Sequence, residues 1–472
     1  MSDKVKKSKD KQITHVARLA LQMWNIGLFA LVWAFYYNNI VFWNPKGYNY
    51  RSPLYVAIMI LVFFIIYRSI CSVYKAFRFA STSLFDIVFA HFVSFGISDL
   101  FSYLEGCLIA HRYINILPGV GIVVAQLCGT MLIAHKTKHM LMERMIPNDT
   151  LIVYGSLINK KGVDSFISRL MKKYEHLYKV STISNENEEL HSLSEEIQQH
   201  ETIILLGVTP TIRKELIKIC AEHNKEFLYD PRIEDIICEG CTERYLLDTP
   251  LMKYDFPYQN TMRAGVKRFW DIFLSILFLI ILSPFMIIIA VTIKKEDGGP
   301  VFYKQKRCTK DGKVFEILKF RSMVENAEAF GAVPATDGDP RITKVGKVIR
   351  ATRLDEIPQL LNILKGDMSF VGPRPERVEH MDLYSKEMPE FKYRLKVRGG
   401  LTGYAQVYGK YNTTPYDKLR LDLIYIENQS FLLDFKILLL TIRTIFQKEA
   451  TEGFDEKESA EINLVMQTKM SD

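Results

Sequence analysis

Apolar runs long enough to cross a bilayer constrain this 472-residue chain more than any other feature. Four come early, from about Val16 to Val41, Pro53 to Ile70, Leu84 to Ala110 and Tyr113 to Ala134. Each approaches or exceeds the roughly 20 residues a helix needs to cross about 30 Å of hydrocarbon. A cationic arm, Lys4-Val-Lys-Lys-Ser-Lys-Asp-Lys11, precedes the first. That run is longer than a signal-peptide core, lacks a small-residue cleavage site and is followed by further apolar segments, so it reads as an uncleaved span. Cations set the topology. The arm, the Arg68/Lys75/Arg78 loop and Lys136/Lys138/Arg144 belong on the cytosolic side, whereas the Lys46/Arg51 and Arg112 loops are poorer in them. Residues 1–146 are expected to form a four-helix transmembrane region with both ends cytosolic, and its helical periodicity permits a homodimer. Asp86, His91, Asp99 and Glu105 in the third run are costly in lipid; with four spans and no inverted repeat, packing or interfacial placement explains them better than a transport path.

A fifth run, Phe269 to Ile293, behaves differently. Lys267-Arg268 and Lys294-Lys295 bracket it with cations at both ends, and Ser283-Pro284 breaks it in the middle. Cationic flanks favour the same side of the membrane, and a proline is where a helix can bend back. Residues 262–295 are therefore expected to form a re-entrant membrane helix hairpin, with a kinked but fully spanning helix as the alternative and the Ser283 hydroxyl satisfying a backbone group that Pro284 frees.

Between these regions the pattern turns to α/β. Thr150 to Tyr154, Tyr178 to Ile183, Glu201 to Leu206 and Glu226 to Tyr229 read as strands, with helices from Val163 and from Thr211 to His223. Residues 147–250 thus resemble a small Rossmann-like α/β domain. A dinucleotide site needs Gly-x-Gly-x-x-Gly after the first strand, and Gly155-Ser-Leu-Ile-Asn-Lys-Lys-Gly162 does not supply it. A noncatalytic spacer, regulatory or oligomerising domain is expected, with residual nucleotide binding as the alternative.

The net charge of +8 is moderate, and its excess flanks the apolar segments, which assigns it to lipid and topology rather than nucleic acid. Cysteines at 71, 107, 128, 220, 238, 241 and 308 form neither a disulfide framework nor a metal-type double pair. They fit reduced, cytosol-facing thiols, and Cys238-Glu-Gly-Cys241 alone specifies no site.

Chemistry concentrates after residue 296. Gly312-Lys-Val-Phe-Glu-Ile-Leu-Lys-Phe-Arg-Ser-Met323 reads as a hairpin delivering Lys319 and Arg321, and Asp339-Pro-Arg-Ile-Thr343 and Gly346-Lys-Val-Ile-Arg350 bring more arginines. They lead to Leu354-Asp-Glu-Ile-Pro-Gln-Leu-Leu-Asn362, then Lys365-Gly-Asp367 and Val371-Gly-Pro-Arg-Pro-Glu376. Adjacent carboxylates Asp355 and Glu356 between arginines suit an anionic substrate held against acidic groups by a divalent cation. The segment from Asp355 to Asn362 is expected to open a helix, with the acids at its positive end and Pro358 in its first turn.

Residues 262 to 450 resemble the bacterial sugar transferase family of polyprenyl-phosphate phosphoglycosyl transferases. The resemblance rests on ordered blocks: Lys267-Arg268 with Asp271, Ser283-Pro284, Gly299-Pro-Val-Phe-Tyr303, Lys319-Phe-Arg-Ser-Met323, Asp339-Pro-Arg-Ile-Thr343, Leu354-Asp-Glu-Ile-Pro-Gln-Leu360, Lys365-Gly-Asp-Met-Ser369 and Gly372-Pro-Arg-Pro375. Four N-terminal spans and a Rossmann-like domain further resemble the polytopic members that begin capsule, exopolysaccharide or O-antigen units. Two blocks depart from the family: Thr309 stands where a glycine is usual, and the Lys-Pro-Gly-x-Thr-Gly block reads Arg398-Gly-Gly-Leu-Thr-Gly403.

The resemblance implies a helix-rich α+β catalytic domain over residues 296–450, followed by a polar tail, 451–472. It implies that Asp355 attacks the β-phosphorus of a UDP-sugar, expelling UMP, and that undecaprenyl phosphate then takes the phosphosugar. By the same resemblance Glu356 joins Asp355 in binding Mg²⁺ or orients the site, Arg350 and Arg374 hold phosphate, and Lys319 and Arg321 contribute. A bacterial inner-membrane location with a cytosolic catalytic domain follows, with polysaccharide assembly enzymes as neighbours. A membrane-bound metal-dependent phosphohydrolase and a noncatalytic assembly scaffold are the alternatives. The resemblance favours a hexose without naming it.

Overall fold

The computed structural model describes residues 2–34, 53–255, 261–325, 327, 339–409 and 413–445. It divides into two compact units, Met1–Asp230 and Pro231–Asp472.

In the first unit, α1 (Ser2–Val32), α2 (Pro53–Val73), α3 (Leu84–Ala110) and α4 (Leu117–Arg144) follow the apolar runs. The cationic arm is itself helical, so α1 starts before the apolar run does; residues 35–41 of the expected first span and the Lys46/Arg51 loop lie outside the described residues. Segments of all four are long and apolar enough to cross a membrane. Ser83 caps α3 by accepting from the Asp86 N–H at 3.0 Å. His91 is buried, and its Nδ1 lies 2.8 Å from the Tyr67 hydroxyl. Asn25 Nδ2 donates to Tyr67 Oη at 3.3 Å and to Thr130 Oγ1 at 3.2 Å. One buried polar side chain from each helix thereby joins the bundle, a contact type worth about 0.6–2 kcal/mol where no water competes.

The parallel sheet that follows contains β1 (Asn148–Tyr154), β2 (Tyr178–Asn185), β3 (Thr202–Leu206) and β4 (Glu226–Tyr229), in the order β2-β1-β3-β4. Helices α5 (Lys160–Tyr174), α6 (Leu190–Gln199) and α7 (Pro210–Glu222) make the crossovers. Strand β3 is buried along its whole length, which explains its continuous apolar run. Because the chain runs outward from β1 to β2 and then returns to β3, the strand order reverses between β1 and β3. Ligands of open α/β sheets sit at that reversal, beyond the strands' carboxyl ends. Here Glu186, 3% exposed, occupies it: its Oε1 accepts from Ser156 N–H at 2.6 Å and its Oε2 from Thr209 N–H at 2.7 Å. Gly155 permits the closure, since a Cβ there would stand 2.4 Å from the Gly207 carbonyl oxygen and 2.6 Å from Glu186 Oε2.

The second unit begins with α8 (Ile233–Glu239) and the hairpin β5 (Thr242–Leu246) and β6 (Thr249–Lys253). Residues 231–250, grouped with the sheet by pattern alone, pack here instead: Ile233 and Ile236 join this unit's core, and Arg420 donates to the Pro231 carbonyl at 3.0 Å. Helix α9 (Thr261–Asp297) carries the fifth apolar run and continues through Pro284. Pro284 lacks the N–H that would reach the Ile280 carbonyl, and Ser283 Oγ donates to that oxygen at 2.8 Å.

Both ends of α9 are fastened to the same body. At one end Lys267 pairs with Asp434 at 2.5 Å, and Arg268 donates to the Ile363 and Leu364 carbonyls at 2.6 and 2.7 Å. At the other, Glu296 accepts from the Lys344 N–H at 2.7 Å and Asp297 pairs with Arg321. The body contains the antiparallel pair β7 (Phe302–Cys308) and β8 (Val314–Phe320), then α10 (Lys344–Ala351), α11 (Gln359–Lys365), β9 (Met368–Val371), α12 (Val378–Glu387), β10 (Gly399–Thr402), α13 (Tyr404–Tyr408), α14 (Pro415–Glu427) and α15 (Phe431–Ile445). Strands β9 and β10 pair in parallel over a core that includes Ile363, Met368, Phe391, Leu423 and Tyr425.

Candidate active site

Two carboxylates emerge from the connection between α10 and α11. Sequence pattern puts them in a helical first turn, whereas they lie on a separate 3-10 turn, Leu354–Glu356, and α11 starts only at Gln359. Proline explains the difference: Pro358 has no N–H to give the Leu354 carbonyl, so the helical ladder cannot run from the acids into α11. Arg353 precedes the turn in the left-handed region, with φ 56° and ψ 19°. Non-glycine residues adopt that conformation at a cost, and its concentration at working sites is a known pattern.

Glu356 is committed. Its Oε1 receives Lys319 Nζ at 2.6 Å, delivered from β8, and Arg374 Nη2 at 2.8 Å, delivered by the loop after β9. Burial works against its charge, but Arg374 and Lys319 outweigh it and hold the carboxyl well below the usual carboxylate range. Asp355 is not committed. Among the described residues it takes no hydrogen bond and no ion pair within 4.0 Å, although Lys319, Arg350 and Arg374 all act on it electrostatically. Burial raises its carboxyl above the ordinary aspartate value, with the Glu356 charge adding to the rise and the cations opposing it. The pair is thus split into an anchored acid and an available one.

Of the expected phosphate-binding residues, Lys319 and Arg374 meet at Glu356, and Arg350, in the last turn of α10, is near enough to lower the Asp355 value. Arg321 is elsewhere: it is buried and engaged by Asp297 at the end of α9. Arg341 pairs with Asp339 at 2.6 Å, while Thr343 caps α10 by accepting from the Gly346 N–H at 2.9 Å, so that block fixes the start of α10. Thr309 has a role that its departure from the family pattern does not reveal. Its buried hydroxyl donates to the Asp367 carbonyl at 2.8 Å and accepts from Gly399 N–H at 3.1 Å, tying two motif blocks together.

Arg394 falls outside every motif block, yet it is 4% exposed and pairs with Asp422 at 2.7 Å and Glu376 at 3.3 Å. With Lys392, Lys396 and Arg398 around it, Arg394 reads like any other surface cation.

Among the described residues no three His, Cys, Asp or Glu side chains gather to hold a metal ion. Asp355 and Glu356 supply at most two carboxylate ligands. That donor set fits magnesium, which keeps several waters and shares its coordination with substrate phosphates, and does not fit a zinc site built from protein ligands.

A family model described as bacterial sugar transferase matches residues 262–448. Over 185 residues the chain is 47% identical to the UDP-N-acetylgalactosamine-undecaprenyl-phosphate N-acetylgalactosaminephosphotransferase of Aeromonas hydrophila, covering 39% of this chain and 44% of that protein. It is 41% identical over 202 residues to the UDP-glucose:undecaprenyl-phosphate glucose-1-phosphate transferase of Klebsiella pneumoniae, covering 42% of each. These matches span less than half the length of either relative. The exopolysaccharide production protein PSS of Rhizobium leguminosarum bv. phaseoli is 38% identical over 190 residues, which cover 38% of this chain and 95% of that protein. With the ordered motif blocks on one body and a relative matched over nearly its whole length, the chain belongs to the bacterial sugar transferase family.

Proposed function

We propose that this protein moves a sugar 1-phosphate, with a hexose as the sugar, from a UDP-sugar to undecaprenyl phosphate, releasing UMP, at the cytosolic face of a bacterial inner membrane. The observation that carries the reading is the division of labour in the carboxylate pair. Asp355 is free to attack, while Glu356 is fixed by two cations. In the first step an Asp355 carboxylate oxygen bonds to the β-phosphorus, and the bond from that phosphorus to the oxygen bridging to the α-phosphate breaks, so that UMP leaves with the bonding pair. In the second, a phosphate oxygen of undecaprenyl phosphate attacks the same phosphorus, and the Asp355 carboxylate leaves unchanged. No net proton is consumed by this exchange.

Arg350 and Arg374 suit the phosphate oxygens on which charge collects, and Lys319 keeps Glu356 and Arg374 in register. Magnesium held by Asp355 and Glu356 together with the donor phosphates would supply charge neutralisation for the leaving UMP.

The membrane placement is supported by α9. As one straight helix its anchored residues, Arg268 and Glu296, would stand roughly 42 Å apart at about 1.5 Å per residue, more than the hydrocarbon thickness. One soluble body grips both ends, so a re-entrant course that returns at Ser283-Pro284 fits better than a crossing. Such a segment holds the pair at the headgroup plane, where a lipid phosphate meets a water-soluble donor. The four N-terminal spans and the Rossmann-like domain are then accessory to this chemistry.

The test is UMP release from a panel of UDP-sugars, with and without undecaprenyl phosphate. Transfer predicts UMP together with a lipid-linked phosphosugar. Free sugar phosphate without lipid acceptor would instead support a hydrolase, and no UMP from any donor would support a scaffold.

A further inference from the structure

The loop that presents Arg374 to Glu356 is Gly372-Pro-Arg-Pro-Glu376. Pro373 and Pro375 have no N–H, so the loop can form few backbone bonds of its own, yet its carbonyls must still find donors. Four consecutive carbonyls do, each from a different group. Pro373 O accepts from Gly400 N–H at 2.9 Å and Glu376 O from Cys308 N–H at 3.0 Å. Between them, Arg374 O accepts from Arg394 Nη2 at 3.1 Å and Pro375 O from Arg307 Nη1 at 3.2 Å. The two middle donors are therefore guanidinium groups.

Arg394 is itself held on several sides. Asp422 Oδ2 accepts from its Nε at 3.1 Å and from its Nη2 at 2.7 Å, Glu376 Oε1 lies 3.3 Å from its Nη1, and the guanidinium carbon stands 4.8 Å from the centre of the Phe391 ring. Asp422 is 1% exposed. Burying such a network costs desolvation that apolar side chains of similar volume would avoid, so stability alone is a poor reason for it. What apolar side chains cannot do is direct an N–H at the Arg374 carbonyl.

Resting on the transferase reading, we propose that Arg394, pinned by Asp422 and Glu376, is a positioning residue that fixes the backbone of Arg374 and so holds its guanidinium on Glu356 and the donor phosphates. Among the described residues Arg394 pairs with Asp422 and Glu376 and not with Asp355 or Glu356. Its planar fork serves Asp422 and the Arg374 carbonyl together, which the single point charge of lysine cannot do in the same geometry.

The experiment is a double-mutant cycle in the full-length protein, reading UMP release from UDP-sugar. Arg394→Lys should slow release about 10-fold, and Arg374→Ala about 100-fold, the size expected for losing one oriented charged donor. Combined, they should be no slower than Arg374→Ala alone, within about twofold, because Arg394 acts only through Arg374. A further 10-fold loss in the double variant, or an Arg394→Lys enzyme as fast as wild type, would overturn the proposal. Asp422→Asn should show the same coupling and serves if Arg394→Lys does not fold; if neither variant folds, the network is structural and the proposal falls. Amide hydrogen exchange over residues 371–377 separates this from the transferase reading. Faster exchange there in folded Arg394→Lys, in an enzyme whose wild type releases no UMP, would sink the reading and keep the clamp, whereas unchanged exchange would sink the clamp.

Discussion

The α/β domain and the catalytic body each contain a glutamate that is held as an anion, buried in the first and half-buried in the second, and they use it in opposite ways. At the sheet's reversal point Glu186 takes the N–H groups of Ser156 and Thr209, one on each oxygen, and fills the crevice from within. Burial opposes its charge, and those N–H groups still hold the carboxyl below the usual range. In the catalytic body Glu356 takes Lys319 and Arg374 on a single oxygen, Oε1, and it has a neighbour, Asp355, that stays available. A carboxylate held by donors therefore marks structure in one place and, in the proposed transfer, half of a working site in the other. The difference lies in what is left over beside it.

Removing the leftover group should have the largest effect. Asp355→Asn keeps the size and shape of the side chain while abolishing its charge, and UMP release should fall by at least about 1000-fold with the thermal unfolding midpoint nearly unchanged. A variant that retains more than a few per cent of activity would break the contrast between the two regions. Glu356→Gln should cost less, about 100-fold, since it releases Lys319 and Arg374 without removing the attacking group. Steady-state rates of purified variants decide the order, and equal losses would mean that the two acids share one role.

Protonation sharpens the same comparison. In the proposed transfer Asp355 attacks in its ionised form, and its carboxyl is raised by burial and by Glu356 and lowered by Lys319. The acid limb of the first half-reaction should therefore lie above the ordinary aspartate value of about 3.9. Lys319→Met should move that limb to higher pH, and Glu356→Gln should move it to lower pH. Profiles of UMP release against pH check both directions; a limb that stays put in Lys319→Met would remove Lys319 from the site's electrostatics.

The smallest effect on catalysis is expected in the other region. Glu186→Gln should change turnover by less than about twofold, yet cost about 1–3 kcal/mol of stability, because a buried anion with two donors becomes a neutral amide with an N–H facing them. The sign with pH is fixed by the lowered carboxyl. Its contribution is present above the unfolded glutamate value of about 4.3 and is lost as pH falls through the folded value. Wild-type stability should fall on acidification more steeply than that of the variant, as read by urea unfolding across pH.

Much of this architecture is legible in the amino-acid sequence. The apolar runs announce α1 to α4 and α9 because membrane-length segments have few other uses, and alternating strands and helices announce the parallel sheet. The carboxylate pair, Lys319 and Arg374 are legible as chemistry, being charged residues at unusual density. What stays hidden depends on three-dimensional closure. The 3-10 turn escapes the pattern because acids before a proline read equally well as a helix start. Glu186 looks like a loop residue until the strand order brings Gly155 and Gly207 together. Arg321 reads as a phosphate ligand like Lys319, two residues earlier, yet β8 ends at Phe320, and beyond the strand's end Arg321 meets Asp297.

The central claim is that Asp355 becomes covalently phosphorylated by the donor. The most direct measurement is a single-turnover reaction of the full-length protein with UDP-sugar and magnesium in the absence of undecaprenyl phosphate, followed by mass spectrometry of the peptide that carries residues 354–365. UMP should appear in an amount equal to the enzyme, with one phosphosugar attached at Asp355 that disappears when undecaprenyl phosphate is added. UMP formation that occurs only with the lipid acceptor present, and no adduct on that peptide, would contradict it.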